Sequence, residues 1–284
     1  MTGFVNFLKP PKMSSAQAVA IIKKLSSGQK CGHMGTLDPF ACGVLPIALG
    51  RATKLFDYFI RQPKTYRAVF KFGVETNTLD LDGIVTKKDD KKIMLEQIKA
   101  ILPEFLGIIS QEPPKYSAKR INGKRAYELA RSGQEVNLKP TPVKIYNISA
   151  QDLGDNEFIF DICCSGGTYI RSLCRDIAYK LGTCSVMTCL IRQASGNFDI
   201  TNAKTLDELE KDFDIIGCQD VLKDFNKCVI QDQKNYVLAL NGADFKAMTN
   251  SNKTQDLAFY YNDKLLGIGQ KTTDDFYKIK IRLI

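Results

Sequence analysis

The chain has 284 residues, 44% of them hydrophobic and 25% charged, which is enough for one large core or two smaller ones. A formal charge of +9 points to an acidic partner, with nucleic acid ahead of a membrane surface. Nine cysteines without a CxxC pair, and a single histidine, argue against a disulfide framework and the common mixed zinc sites; buried thiols in a reducing cytoplasm are expected.

The first segment, "GFVNFLKPPKMSSAQAVAIIKKLSSG", reads as a short strand, a turn and a helix. Ser14 and Gln17 fit a capping box, Ala18, Val19, Ile22 and Leu25 share one helical face, and Gly28 closes the helix. The opening "MTGFVNFLKPPK" lacks the apolar centre and cleavage site of a targeting signal. Residues 31 to 50, "CGHMGTLDPFACGVLPIALG", are glycine-rich and hold the only histidine, His33, and one acid, Asp38. The apolar run from Phe40 to Leu49 is interrupted by Gly43 and Pro46 and is too short to cross a bilayer, so no membrane partner is expected.

"KTYRAVFKFGVET" alternates, with Tyr66, Ala68, Phe70 and Phe72 on one side and Arg67, Val69 and Lys71 on the other; it is a half-buried strand. "TNTLDLDG" is turn chemistry, and "MLEQIKAILPEFLG" reads as one amphipathic helix ended by Gly107. "EPPKYSAKRINGKRAYELARSG" is the most basic segment. "EFIFDICCSGGTYIRSLCRDIAYKLG" is a strand, a Gly-Gly turn and a helix with Ile170, Leu173, Cys174, Ile177 and Leu181 as its apolar stripe. From about residue 223 the texture becomes β-rich: "LAFYYNDKLLGIGQ" is a hairpin turning at Asn262-Asp263, and "DFYKIKIRLI" alternates. Strands and helices do not follow a regular βαβ series, so the fold class is a mixed α/β (α+β) one with a mainly antiparallel sheet.

Asp38 precedes a proline, which favours extended geometry, and Gly32, Gly35 and Gly43 allow close backbone approach. It is either a nucleophile or base held on a rigid turn, or the N-cap of a helix starting at Pro39; Gly43 and Pro46 would cut such a helix to about one turn. His33 belongs to no triad and reads as a loop histidine that makes hydrogen bonds or touches a ligand. Arg171 falls in the first turn of the helix after Gly166-Gly167, where it can grip an anion; beside Asp38 it would orient that carboxylate. Arg175, one turn on, reads as a surface residue. Tyr66 is either a core tyrosine or a ring stacked on a base with its hydroxyl aimed at reacting atoms. The basic run is either a phosphate grip with stacking partners or a solvated helix face.

Five stretches, "GHMGTLDPFACGVLP", "KTYRAVFKFGVETNTLDLDG", "PPKYSAKRINGKRAYELAR", "GGTYIRSLCRDIAYKLG" and "CLIRQASGNF", together resemble the motifs of the bacterial tRNA pseudouridine-55 synthases of the TruB type, in family order over about residues 3 to 200. The resemblance implies that Asp38 is the catalytic aspartate, that Tyr66 stacks on the target uracil, that Arg171 pairs with Asp38 and that Leu190 lines the pocket. It implies a supporting role for Asp80, a tRNA contact for His33, and an RNA grip made by Lys115, Tyr116, Lys119, Arg120, Lys124 and Arg125. The implied reaction turns uridine 55 of the tRNA T-loop into pseudouridine with no cofactor, no metal and no obligate protein partner. The implied organisation is a catalytic domain over 1–222, with an insertion at about 110–140, and a small PUA-like RNA-binding domain over 223–284. Two rival readings are a non-catalytic tRNA-binding or folding protein on the same scaffold, and a synthase for a different RNA uridine. The presence of Asp38, Tyr66 and Arg171 together speaks against the first, and the compact C-terminal part against the second. The sequence departs from the family pattern at Lys12, where glycine is usual, and at Lys119 and Arg120, where an apolar residue and a lysine are usual.

Overall fold

Tyr66, Ala68, Phe70 and Phe72 are buried while Arg67 between them is exposed, so Lys64–Phe72 is the strand that its alternation predicts. That strand is the middle of the molecule. The computed structural model describes residues 1–117, 119–121, 123–132, 134, 136–250 and 257–284. The chain begins with β1 (Gly3–Lys9), α1 (Ser15–Leu25), β2 (Cys31–His33), β3 (Cys42–Leu49), α2 (Phe56–Arg61), β4 (Lys64–Phe72), β5 (Val74–Thr76) and β6 (Val85–Lys88). It continues through α3 (Leu95–Ile101), β7 (Gly107–Gln111), β8 (Arg120–Ile121), β9 (Lys124–Arg125), α4 (Ala126–Arg131), β10 (Thr141–Gly154) and β11 (Glu157–Cys164). Then come α5 (Ile170–Lys180), β12 (Ser185–Ser195), β13 (Phe198–Asp199), α6 (Leu206–Lys211) and α7 (Cys218–Val221). The last stretch holds β14 (Asn226–Val229), α8 (Gln233–Asn241), β15 (Leu257–Tyr261), β16 (Lys264–Thr273) and β17 (Phe276–Arg282).

The main sheet has the order β1-β3-β12-β4-β11-β10-β7, with β2 paired to β3 and β13 to β12. All its pairings are antiparallel except β3 with β12. A smaller sheet, β14-β15-β16-β17, follows it. The architecture is therefore mixed α/β and mainly antiparallel, with a β-rich C-terminal sheet. Helices α1 and α5 lay their apolar faces on one side of the main sheet through Ala18 and Ile22, and through Ile170, Leu173, Cys174 and Ile177. Phe70 and Phe160 stack in that layer at 4.3 Å between centroids. Each buried phenylalanine there contributes roughly 1.5–3 kcal/mol. On the opposite side Phe4, Val44, Ala48, Phe59 and Phe198 share a second cluster with Phe225, Ala258, Ile268 and Leu283 of the C-terminal part.

The capping box at Ser14 forms, with the Gln17 amide answering the Ser14 N–H at 2.8 Å. Asn262 and Asp263 take φ of 48° and 57°, the left-handed pair that closes the β15–β16 hairpin. Lys12 takes φ 66°, so the turn that favours glycine is kept with a lysine in it, at a cost of about 1 kcal/mol. The segment 94–107 departs from the single helix expected. α3 stops at Ile101 and a 3₁₀ turn, Leu102–Phe105, follows, because Pro103 cannot donate the next helical hydrogen bond. Gly107, at φ 82°, opens β7 instead of capping a helix. The apolar run after Phe40 is β3, a strand buried among β1, β2 and β12. Gly43 is required there, since a Cβ would lie 2.3 Å from the Arg192 carbonyl oxygen on β12. Among the described residues no helix is long and apolar enough to cross a membrane.

Candidate active site

Asp38 sits in the loop between β2 and β3, and no helix follows it; the N-cap reading is overturned by Gly43 and Pro46, which belong to a strand. The loop is pinned along its length. Met34 N–H donates to the Pro46 carbonyl at 2.8 Å, and Ala41 N–H to the Asp38 carbonyl at 3.1 Å. Ser15, the first residue of α1, donates its hydroxyl to the Leu37 carbonyl at 2.8 Å and accepts the Leu37 N–H at 2.9 Å. Lys12 N–H donates to the Pro39 carbonyl at 2.7 Å. What the loop leaves open is the Asp38 side chain, 36% exposed.

The partner of that carboxylate comes from α5. Arg171 is in the first turn, and its side chain is 6% exposed. Nη2 meets Asp38 Oδ2 at 2.7 Å and also donates to the Tyr116 carbonyl at 3.1 Å. Nη1 meets Asp80 Oδ2 at 3.3 Å and donates to the Thr78 carbonyl at 3.0 Å. One guanidinium thus ties together the Asp38 loop, the turn after β5 and the segment that begins the basic run. The start of α5 is itself held by Gln111, whose amide donates to the Tyr169 carbonyl at 3.1 Å and accepts the Tyr169 N–H at 2.8 Å. Burial pushes the Asp80 carboxyl up from its ordinary range, and the Thr78 hydroxyl at 2.6 Å and Arg171 oppose that push.

Beside Asp38 lies a cavity of about 350 Å³. Tyr66 and Leu190, 8% and 7% exposed, form apolar walls with Ile60 and Tyr169. They face the same way because Ala68 of β4 is opposite Leu190, and Tyr66 is opposite Arg192, in the β4–β12 ladder. Burial raises the Tyr66 hydroxyl above its ordinary value, opposed by the charge of Arg192 and a hydrogen bond to it. Lys64 also lines this cavity and donates to the carbonyls of Phe59, Ile60 and Gln62 at 3.0, 2.8 and 2.6 Å. Burial lowers its ammonium to about 8.

A second cavity, about 680 Å³, opens on the other side of the Asp38 loop between His33, Phe40, Asp80, Tyr116 and Tyr127. His33 is the last residue of β2, a strand position instead of the loop expected. Lys119 lines the Asp38–Tyr66 cavity, whereas Lys115 is turned to a separate hollow beside Arg175. The Tyr116 hydroxyl accepts from the Asn77 amide at 3.3 Å. The side chains of Arg120, Lys124 and Arg125 lie outside the described residues. Arg175 is not the surface arginine expected: its side chain is 15% exposed, pairs with Asp176 at 2.8 Å and donates to the Glu112 carbonyl at 3.2 Å. Sequence reasoning passed over Ser15, Lys64 and Arg192. The available signal for Arg192 was its place two residues after Leu190 on a strand, hence on the same face. Among the described residues no group of three or more His, Cys, Asp or Glu side chains is placed to hold a metal ion.

The geometry agrees with comparisons to known proteins. A family model described as "TruB family pseudouridylate synthase (N terminal domain)" matches residues 23–170. The chain belongs to the TruB family of pseudouridylate synthases. The chain is 40% identical to "tRNA pseudouridine synthase B" of Clostridium tetani over 289 residues, covering 99% of both chains. It is 43% identical to the protein of the same name from Alkaliphilus oremlandii over 210 residues, 74% of this chain and 70% of that one. Among solved structures, the fold resembles a chain in "Crystal Structure of a Cbf5-Nop10-Gar1 Complex" with a TM-score of 0.77 at 24% identity, covering 99% of this chain and 85% of that one. The five stretches that resemble TruB motifs, dispersed between residues 32 and 198, each contribute residues to the cavity beside Asp38.

Proposed function

We propose that this TruB-family chain isomerises uridine to pseudouridine in tRNA, acting on uridine 55 of the T-loop, with Asp38 as its catalytic residue. The observation that carries the reading is the Arg171–Asp38 ion pair, at 2.7 Å, at the mouth of a cavity walled by Tyr66 and Leu190. The relatives that match nearly the whole chain bear the name tRNA pseudouridine synthase B.

The reaction breaks the N1–C1′ bond, turns the uracil, and forms a C5–C1′ bond; the proton lost from C5 is balanced by one gained at N1. Nothing is oxidised and no group passes to water, so the chemistry calls for no cofactor. It calls for an ionised carboxylate, whether that attacks C1′ or C6 or removes the C2′ proton. Arg171 supplies the positive partner and fixes the carboxylate's direction. It also calls for a close apolar compartment that retains the detached base while it rotates. Tyr66 supplies a ring face, and Leu190, on the same sheet face, a second apolar wall. The target base must leave the RNA fold to enter, at a cost of a few kcal/mol, about what phosphate contacts by the basic segment can offset. His33, Tyr116 and Lys119 line the approach on the two sides of the Asp38 loop. The boundary near residue 222 and the RNA grip of the 110–140 excursion belong to the same proposal.

Asp38→Asn keeps the shape of the side chain and removes its charge. Pseudouridine formation on a T-arm RNA should vanish while the RNA is still bound. Turnover by the variant within about tenfold of wild type rules out Asp38 as the catalytic group, since losing such a group costs several orders of magnitude.

A further inference from the structure

Among the described residues two arginines reach the loop that carries Asp38, and of these two Arg171 alone touches its carboxylate. Arg192 follows Leu190 by two residues on β12 and is 1% exposed. Its Nε donates to the Val44 carbonyl at 2.7 Å, Nη1 to Thr36 at 3.2 Å and Nη2 to Gly35 at 3.2 Å. Those carbonyls stand before and after Asp38, so one planar guanidinium clasps both ends of the loop. The backbone adds to the clasp, because Gly43 pairs with Arg192 and approaches it too closely for any side chain. Across the sheet Arg192 is opposite Tyr66, and its positive charge acts on the Tyr66 hydroxyl. Among the described residues Arg192 forms no ion pair with a carboxylate. A buried cation without a counterion is costly, and a well-packed apolar side chain is usually the more stable choice. The carbonyls satisfy this one, which indicates a placement that packing alone does not require.

We propose that Arg192 is a positioning residue for the isomerisation: it sets where Asp38 stands relative to Tyr66 by holding the loop backbone, while Arg171 sets the direction of the carboxylate. This rests on the pseudouridine-synthase reading of the site. A guanidinium is suited to the task because its fixed fork reaches three acceptors in one plane, which an ammonium does not. Small displacements of a reacting group cost about 100-fold in rate.

The test compares Arg192→Lys and Arg192→Gln with wild type and Asp38→Asn. On T-arm RNA both Arg192 variants should lose about 100-fold in kcat with KM within about threefold. Amide exchange across residues 34–43 should quicken by about tenfold in both, whatever the substrate. Tyr66 ionisation, read by NMR of ring-labelled tyrosine, should move to higher pH in Arg192→Gln and stay in place in Arg192→Lys. The charged or titratable groups acting on Tyr66 are Arg192, Cys164 of β11 and Asp38 of the loop, and only Gln removes the first. Wild-type kcat in the folded variants, a loss confined to KM, or unchanged exchange over the loop overturns the proposal. So does a pair of variants that both fail to fold, which would make Arg192 a residue of the core alone. An inactive wild type counts against the reaction, and the exchange measurement then still decides the clasp.

Discussion

Arg171 is buried, yet it meets two carboxylates and two carbonyls with two nitrogens. A lysine ammonium at that place can satisfy one or two of those four. Arg171→Lys should therefore lower kcat by about 100-fold with little change in KM, as measured by steady-state kinetics on a T-arm RNA. A change confined to KM would show that the arginine serves RNA binding only. At this scale the sequence was informative about chemistry and silent about depth. Asp38, Tyr66, Arg171 and Leu190 are found around one cavity, as their motifs implied. For Asp80 the resemblance implied only a supporting role; in the structure it is the second acid on Arg171, itself held by Thr78. The burial of Lys64 and Arg192 was not readable, because a buried cation whose partners are backbone carbonyls has no acidic residue in the sequence to announce it; only the strand face of Arg192 was.

Helix α1 and the Asp38 loop are joined through the Ser15 hydroxyl. Ser15→Ala leaves the Leu37 N–H and carbonyl without that partner, and should destabilise the protein by about 1–3 kcal/mol in denaturant unfolding. A loss near zero would mean that the loop keeps its shape without α1. Helix α2 ends in a similar way on Lys64, whose ammonium takes up the Phe59 and Ile60 carbonyls. Its folded value, about 8, lies below the 10.5 of a free lysine. Between those values the unfolded chain holds a proton that the folded chain has released, so this residue makes stability rise as pH goes up; below about 8 that contribution is gone. Wild type should gain about 3 kcal/mol relative to Lys64→Met from pH 8 to pH 10.5. A difference that stays constant across that window would mean that the carbonyl contacts offset the cost of burying the ammonium. Elements with a clean period were legible: β4, α1 with its capping box, α5 with its stripe, and the β15–β16 hairpin. The 94–107 segment was not, since its apolar spacing continues past Pro103 while the backbone cannot. β3 was hidden for the opposite reason: Gly43 and Pro46 look like breakers, but each answers a neighbour, Gly43 the close approach of β12 and Pro46 the Met34 N–H.

The boundary we propose near residue 222 separates two sheets, each with a core of its own, but a third cluster spans it. Phe4 and Phe59 from the first part lie in one cluster with Phe225, Ala258 and Leu283 from the last. Calorimetry should accordingly show a single unfolding transition for the full chain; two resolved transitions would mean that the cluster couples the parts only weakly. The change of texture after residue 223 was visible as a hairpin and an alternating tail, but local patterns do not reveal which distant faces share a cluster. The same holds for the parallel pairing of β3 with β12, where Cys42 stands beside Ile191 and Gly43 beside Arg192. That one pairing has a consequence during synthesis. Arg192 is synthesised long after the aspartate-bearing hairpin, which until then has β1 beside it but no β12. Contacts so far apart in sequence form late. A nascent chain stalled before that point would carry every letter of the aspartate motif and still be unable to modify RNA.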